Sequence, residues 1–205
     1  MKTIRLSADS SNSISHAVDI LKRGGVVAFP TDTVYGLGVL VSMHESIERL
    51  YNIKGRDHTK AIAVLMANAD QIDQIVAEPN EKIFKLARRF WPGPLTMVLP
   101  RHHDLSDKLS TDNSIGVRVP DHPVALELLA ASGPLGVTSA NLSGGENART
   151  ADEVMAQLSG RVHLILDGGE TPGGVPSTVV DLTNKLPVLL RSGPIGEGEI
   201  LASLA

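Results

Sequence analysis

Short runs of β-branched and apolar residues alternate from end to end with stretches of helical spacing, which predicts a layered α/β domain rather than an all-β sandwich or a helix bundle. Ile4 to Leu6 reads as a first strand. From Ser13 to Arg23 the apolar residues Ile14, Val18 and Leu21 recur at helical spacing, and Gly24 stands where a helix should stop. Val26 to Phe29 is a second strand, and Ile47, Leu50, Tyr51 and Lys54 mark a second helix. Ala61 to Met66 is a continuous apolar run of the kind a buried strand shows. Residues 69–77 and 81–90 read as helices separated by Pro79, and Trp91-Pro-Gly-Pro94 forbids continuation before a strand at 95–99. Residues 101–114 are polar and read as irregular. Further strands are expected at 115–119, 136–138, 162–166, 178–182 and 188–190, with helices near 122–131 and 151–158. Some seven or eight strands would then form one mixed sheet in a single domain spanning residues 1–205.

Composition narrows the class. The 205 residues, 42% of them hydrophobic, suffice to bury a core unaided. With no cysteine, disulfides, thiolate metal sites and cysteine nucleophiles are excluded, and a reducing compartment is permitted. No stretch approaches the ~18 apolar residues of a membrane span, and Met-Lys-Thr-Ile-Arg-Leu-Ser at the start lacks the apolar segment of a secretory leader. The expectation is a cytoplasmic protein with no membrane partner. A formal charge of −4 and only 3% aromatic residues argue against a basic nucleic-acid coat or a base-stacking platform.

Several segments carry candidate chemistry. Gly25-Val-Val-Ala-Phe-Pro-Thr-Asp-Thr-Val-Tyr-Gly-Leu-Gly38 ends a strand in a polar, glycine-bounded loop that would display Thr31, Asp32, Thr33 and Tyr35. Lys54-Gly-Arg56-Asp-His-Thr-Lys60 sets three cations within seven residues, a set able to neutralise a polyphosphate. Thr138-Ser139-Ala-Asn141-Leu-Ser143-Gly-Gly145 is a second hydroxyl-and-amide loop whose glycines can expose N–H groups to an anion. Arg118 and Arg191 each close a strand pattern, at the sheet edge where α/β ligand sites form. Ser177 and Thr178 add hydroxyls before another strand. For each segment the plainer alternative is a solvated loop or a turn that satisfies its own backbone. His102-His103-Asp104 could chelate a metal but reads as an exposed polar loop, so no resident metal is expected. Asn141-Leu-Ser143 matches a glycosylation acceptor and is discounted without a leader. Phosphate-loop, dinucleotide and nucleophile-elbow signatures are missing from the sequence.

Taken in order, Pro30-Thr-Asp-Thr-Val-Tyr-Gly-Leu-Gly38, Lys54-x-Arg56, Trp91-Pro-Gly-Pro-Leu-Thr96, Val117-Arg-Val-Pro120, Thr138-Ser-Ala-Asn-Leu-Ser-Gly144, Ser177-Thr-Val-Val-Asp181 and Leu190-Arg-Ser-Gly193 resemble the threonylcarbamoyl-AMP synthases of the YrdC-like family. The resemblance runs over nearly the whole chain. It implies a twisted mixed sheet with helices on its faces and a large open cavity. It also implies a reaction joining L-threonine, bicarbonate or CO₂, and ATP into threonylcarbamoyl-AMP and pyrophosphate, for N6-threonylcarbamoyladenosine modification of tRNA by transfer proteins. Mg²⁺ would arrive on the ATP phosphates.

Carried over by resemblance, Lys54 and Arg56 are the catalytic pair and, with Lys60, hold the triphosphate. Thr96, Thr138, Ser139 and Asn141 line the phosphate site, and Arg191 closes over the nucleotide. Thr31, Asp32, Thr33, Tyr35, Arg118 and Ser177 face threonine or its carbamate. Two positions depart from the family pattern: Asp57 and Ala61 stand where relatives often carry proline. Longer relatives carry a linker and a C-terminal domain that the 205 residues do not include. The competing readings are a module that binds RNA, weakly, through the same cavity and a paralogue with another carbamoyl or nucleotide chemistry.

Overall fold

A computed structural model describes residues 1–204. Its strands are β1 (Ile4–Ser7), β2 (Val27–Phe29), β3 (Gly36–Leu40), β4 (Ala63–Leu65), β5 (Leu95–Pro100), β6 (Ser114–Arg118), β7 (Leu135–Ser139), β8 (Leu164–Asp167), β9 (Thr178–Asp181) and β10 (Val188–Arg191). The helices are α1 (Ser13–Lys22), α2 (His44–Lys54), α3 (Glu81–Phe90), α4 (Pro123–Ser132), α5 (Ala151–Leu158) and α6 (Glu197–Leu204). All ten strands form one sheet in the order β1-β8-β2-β3-β7-β4-β6-β5-β9-β10. Pairing is mixed: β1, β8 and β2 run parallel, β3 and β7 are antiparallel to their neighbours, and β4–β6 and β5–β9 are parallel pairs.

Local chemistry accounts for most element ends. Asn80 accepts from the Ile83 N–H at the start of α3, and Thr150 and Glu153 form a reciprocal capping box on α5. Pro123 opens α4, where its missing N–H costs nothing. Gly55 ends α2 at φ 58°, a left-handed backbone that suits glycine.

Three expectations are corrected. The sheet has ten strands rather than seven or eight: all nine segments read as strands join it, and Gly36–Leu40 is a tenth, paired with β2 and β7 rather than part of a loop. Gly38 serves close approach: a Cβ there would lie 2.9 Å from the Phe29 ring across the pair. Residues 69–77 hold a 3-10 helix only over Ala69–Gln74, after which Val76 bridges to Arg101. The supposedly irregular 101–114 segment contains a 3-10 turn at Asp107–Leu109 and feeds β6.

The two faces of the sheet are covered unequally, and this creates the site. Ala28, Val64, Leu95, Met97, Ile115 and Val117 point into one apolar cluster with Ile47, Leu50, Leu86, Val154 and Ile200 from α2, α3, α5 and α6. Val27, Phe29, Leu135, Leu164 and Leu166 point the other way, against Ala17, Leu21, Leu128 and Leu129 from α1 and α4. That second cover spans the β1-β8-β2-β3-β7 half of the sheet. Over β4-β6-β5-β9-β10 the same face is left open.

Candidate functional site

The uncovered face forms a cavity of about 440 Å³. Its floor follows the period-two rule of strands. Ala63 and Leu65 of β4, Thr96 and Val98 of β5, Ser114, Gly116 and Arg118 of β6, Val137 and Ser139 of β7, and Val179 of β9 all face it. Small residues keep it open; a Cβ at Gly116 would press on the Thr96 methyl at 3.2 Å. The rim carries Thr31, Thr33, Tyr35, Arg56, Thr138, Ser177 and Arg191. Ten of the residues expected from the sequence therefore meet around one space: Thr31, Thr33, Tyr35, Arg56, Thr96, Arg118, Thr138, Ser139, Ser177 and Arg191.

At one end the residues after β2 are buried and self-braced rather than displayed. Thr31 Oγ1 lies 3.0 Å from Thr33 Oγ1, donates to the Val34 carbonyl at 2.7 Å and accepts the Thr33 and Val34 N–H groups. Arg118, 5% exposed, donates to the Gly93 carbonyl at 2.9 Å, to Thr33 Oγ1 at 3.1 Å and to Asp32 Oδ1. Asp32 does not line the cavity; it is the buried counter-ion of Arg118, and its Oδ2 has no hydrogen-bond partner. Burial lowers the Arg118 guanidinium, and Asp32 offsets that only in part. Tyr35 contributes to the wall, but its hydroxyl donates to the Gly169 carbonyl at 2.8 Å and accepts from the Gly168 N–H at 3.3 Å. Burial pushes that phenol up to about 12.

Arg56 and Arg191, by contrast, have only neutral partners. Arg56 donates to the carbonyls of Lys60 at 3.1 Å and Ala61 at 2.8 Å. Arg191 donates to the Ser177 carbonyl at 3.0 Å and its hydroxyl at 3.1 Å, and Ser177 Oγ lies 2.8 Å from Thr96 Oγ1. Burial depresses both guanidinium groups, and Arg56 further depresses Arg191. Two guanidinium groups held in each other's field, without a carboxylate between them, make a site for an anion.

Lys54, Lys60 and Asn141 were expected beside the same ligand, and none lines the cavity. Lys54 is 2% exposed, and its ammonium donates to the carbonyls of Ser139 and Asn141. Burial, with a smaller contribution from Arg56, lowers it to about 7. Lys60 turns its carbonyl to Arg56 and to the Tyr51 hydroxyl. The Asn141 amide donates to the carbonyls of Leu142 at 2.8 Å and Gly145 at 2.9 Å, folding its own loop. Asp57, one of the departures from the family pattern, turns onto Thr59 by accepting its N–H and hydroxyl, both at 2.9 Å. Those bonds hold its carboxyl below the usual range. Ala61, the other departure, supplies a carbonyl to Arg56.

Thr59, Ser110, Thr111, Asp112, Ser114 and Asn147 also line the cavity and were not singled out in the sequence. The hydroxyl-rich run at 110–114 was the available signal. Asp112 is the carboxylate of the lining among the described residues. Its Oδ1 accepts from Ser110, from the Ser114 N–H and from the Ser114 hydroxyl, which keep it ionised. His102, His103 and Asp104 do lie within reach of one another, on an exposed loop that does not line the cavity. No described helix is long and apolar enough to cross a membrane.

Fold and site together define an α/β protein with an open sheet face whose cavity is lined by three guanidinium groups and many hydroxyls. A family model described as "Telomere recombination", covering Sua5, YciO and YrdC proteins, matches residues 19–193, and the chain belongs to this family. It is 39% identical to a Bacillus subtilis threonylcarbamoyl-AMP synthase, over 98% of the chain and 61% of that protein. It is 36% identical to a putative threonylcarbamoyl-AMP synthase of Mycobacterium tuberculosis, over 93% of the chain and 88% of that protein. Among solved structures, Pyrococcus abyssi Sua5 complexed with L-threonine superposes with a TM-score of 0.93 at 36% identity, over 99% of the chain and 60% of that structure. Escherichia coli YciO superposes at 0.84 with 30% identity, over 97% of both chains. The chain thus spans about three-fifths of the length of the Bacillus relative and of Sua5.

Proposed function

We propose that this chain is a threonylcarbamoyl-AMP synthase, condensing L-threonine, CO₂ or bicarbonate, and ATP into threonylcarbamoyl-AMP and pyrophosphate for tRNA modification. The observation that carries the reading is that Arg56, Arg118 and Arg191 line one cavity with Thr31 and Thr33, Arg191 lying in the field of both other guanidinium groups. The guanidinium groups without a carboxylate partner suit a polyphosphate, and the hydroxyls beside Arg118 suit a small polar zwitterion. The names of the Bacillus and mycobacterial relatives and the threonine complex of Sua5 support the substrate assignment. The continuity of the ten-strand sheet supports treating residues 1–205 as one catalytic domain.

The chemistry asks the protein mainly for position and charge. The threonine amine adds to CO₂ and loses a proton to give a carbamate. A carbamate oxygen then attacks the α-phosphorus of ATP, and the bond to the β-phosphate oxygen breaks as pyrophosphate leaves. Arg56 and Arg191 hold the phosphates and neutralise the charge that accumulates on the leaving group. Thr96, Ser177, Thr138 and Ser139 offer hydroxyls that orient the nucleotide without competing charge. Thr33, braced by Thr31 and Arg118, faces the amino acid. Asp112 is the one carboxylate of the cavity lining among the described residues, and its Oδ1 is taken up by Ser110 and Ser114. Mg²⁺ carried on ATP suits that lining. The transfer proteins that consume the adenylate complete the set of partners.

Pyrophosphate release from ATP, measured with bicarbonate in the presence and absence of L-threonine, tests the reading. Threonine-dependent release is expected. Release that ignores threonine, from a protein that binds ATP, would replace it with another acceptor on the same fold. A cavity that binds RNA and not ATP would replace it with the RNA-binding module.

A further inference from the structure

Residues 168–176 lead from the end of β8 to Ser177 on the cavity rim, and of these only Thr171 is buried. A segment with so little core of its own is ordered by what it touches. On one side it lies against the threonine-facing residues. The Gly174 N–H donates to the Thr33 carbonyl at 2.7 Å, a Cβ at Gly173 would lie 2.5 Å from the Asp32 carbonyl oxygen, and the Tyr35 hydroxyl bonds to Gly168 and Gly169. On the other side the contacts converge on Arg149. Its carbonyl accepts the Thr171 N–H at 2.8 Å, and its guanidinium pairs with Glu170 at 2.7 Å. The same guanidinium lies over Gly174, where a Cβ would sit 3.0 Å from Nε and 3.4 Å from Cζ. Arg149 is itself fixed at the start of α5, where Glu153 Oε2 accepts its N–H at 2.6 Å. It does not line the cavity. The segment is therefore clamped between Thr33 and Arg149.

We propose that Arg149 is a positioning residue for the amino-acid substrate: it presses the 168–176 segment against Thr33 and so fixes the hydroxyl that faces threonine, without touching a ligand itself. The kinetic part rests on the synthase reading, and the clamp rests on geometry alone. Thr33 has its N–H and Oγ1 taken up by Thr31 and Arg118, so Gly174 is the partner that sets its carbonyl. The Arg149–Glu170 pair, with side chains 46% and 60% exposed, contributes little by itself. The hold comes from the flat guanidinium packed on the Gly174 backbone, a fit that a lysine ammonium does not reproduce. The phosphate contacts are independent of it. Ser177, the partner of Arg191, is anchored separately through Thr96 Oγ1 at 2.8 Å, and the next residue's N–H donates to the Pro94 carbonyl at 2.9 Å.

The test compares the full chain with Arg149→Ala and Arg149→Lys. Threonine KM and kcat are read from threonine-dependent pyrophosphate release, ATP binding by calorimetry, and the clamp by hydrogen exchange at Thr171 and Gly174. For Arg149→Ala a threonine KM raised about tenfold is expected. The kcat and the ATP dissociation constant should stay within ~3-fold of wild type, with faster exchange at both amides. Arg149→Lys, which keeps the charge without the plane, should behave alike; it decides on the same criteria if Arg149→Ala fails to fold. Mere loss of folded protein would lower kcat and leave KM unchanged, and that result would overturn the proposal. So would equal losses of ATP and threonine affinity, which would bring Arg149 to the nucleotide, or wild-type values in Arg149→Lys, which would assign the effect to charge. If wild type makes no adenylate, the synthase reading fails, and the exchange rates still decide whether Arg149 holds the segment: unchanged rates in both variants would overturn the clamp.

Discussion

Arg118 and Asp32 show what a motif reading captures at the level of single residues and what it leaves out. Both stand in segments that the sequence marks as functional, yet their first relation is to each other, as a buried ion pair bracing Thr33. A sequence gives residue types and spacing; it does not give the partner 86 residues away that takes up a charge. The same holds for Lys54, whose ammonium meets the carbonyls of Ser139 and Asn141, more than eighty residues on. Arg56 and Arg191 do stand in the cavity lining, so for them residue type and position point the same way. Asp32→Asn should leave Arg118 as a buried charge with reduced compensation and destabilise the fold by about 3 kcal/mol in urea titration; an unchanged midpoint would mean that solvent reaches the pair. Arg191→Met, removing a cation that lines the cavity, should weaken pyrophosphate binding by roughly tenfold and flatten its dependence on salt. Unaltered pyrophosphate affinity across salt would place the anion elsewhere.

Elements were the most readable level where periodicity is long and capped. The spacing of Ile14, Val18 and Leu21 located α1, and the helices at 81–90 and 151–158 were read with their observed bounds. Gly36–Leu40 was missed because two glycines in five residues look like a turn. They permit instead a strand that lies flat against Phe29. Gly38→Ala should therefore cost about 1–3 kcal/mol through overpacking against that ring, measured by thermal melting; a neutral result would show that β2 and β3 can separate freely. Gly116, on the cavity floor, tests a different consequence of the same lack of a side chain. Gly116→Val should fill the floor beside Thr96 and weaken ligand binding while the sheet stays folded, with circular dichroism and calorimetry as the two readouts.

The unequal cover of the sheet belongs to the whole molecule and was not legible at all. Each strand alternates correctly, but which half of a face receives α1 and α4 depends on a strand order set by pairings distant in the sequence. The resemblance supplied the expectation of a cavity; the uncovered β4-β6-β5-β9-β10 half supplies its cause. Burying Lys54 also has a consequence for the entire fold. Its ammonium is lowered to about 7, whereas an unfolded chain holds that proton up to ~10.4. Between those limits the unfolded state binds more protons, so this group makes stability rise as pH increases from about 7 and contributes no slope below it. Urea midpoints at pH 7 and pH 9 should rise more in wild type than in Lys54→Met. Equal changes in both would show that the ammonium is solvated.

The synthase reading is tested most directly by incubating the purified chain with ATP, L-threonine and ¹³C-bicarbonate and taking the mass spectrum of the nucleotide products. The account predicts an AMP adduct of threonine that carries the heavy carbon in its carbamoyl group and fails to form without threonine. A protein that binds ATP but yields no labelled adduct would contradict it.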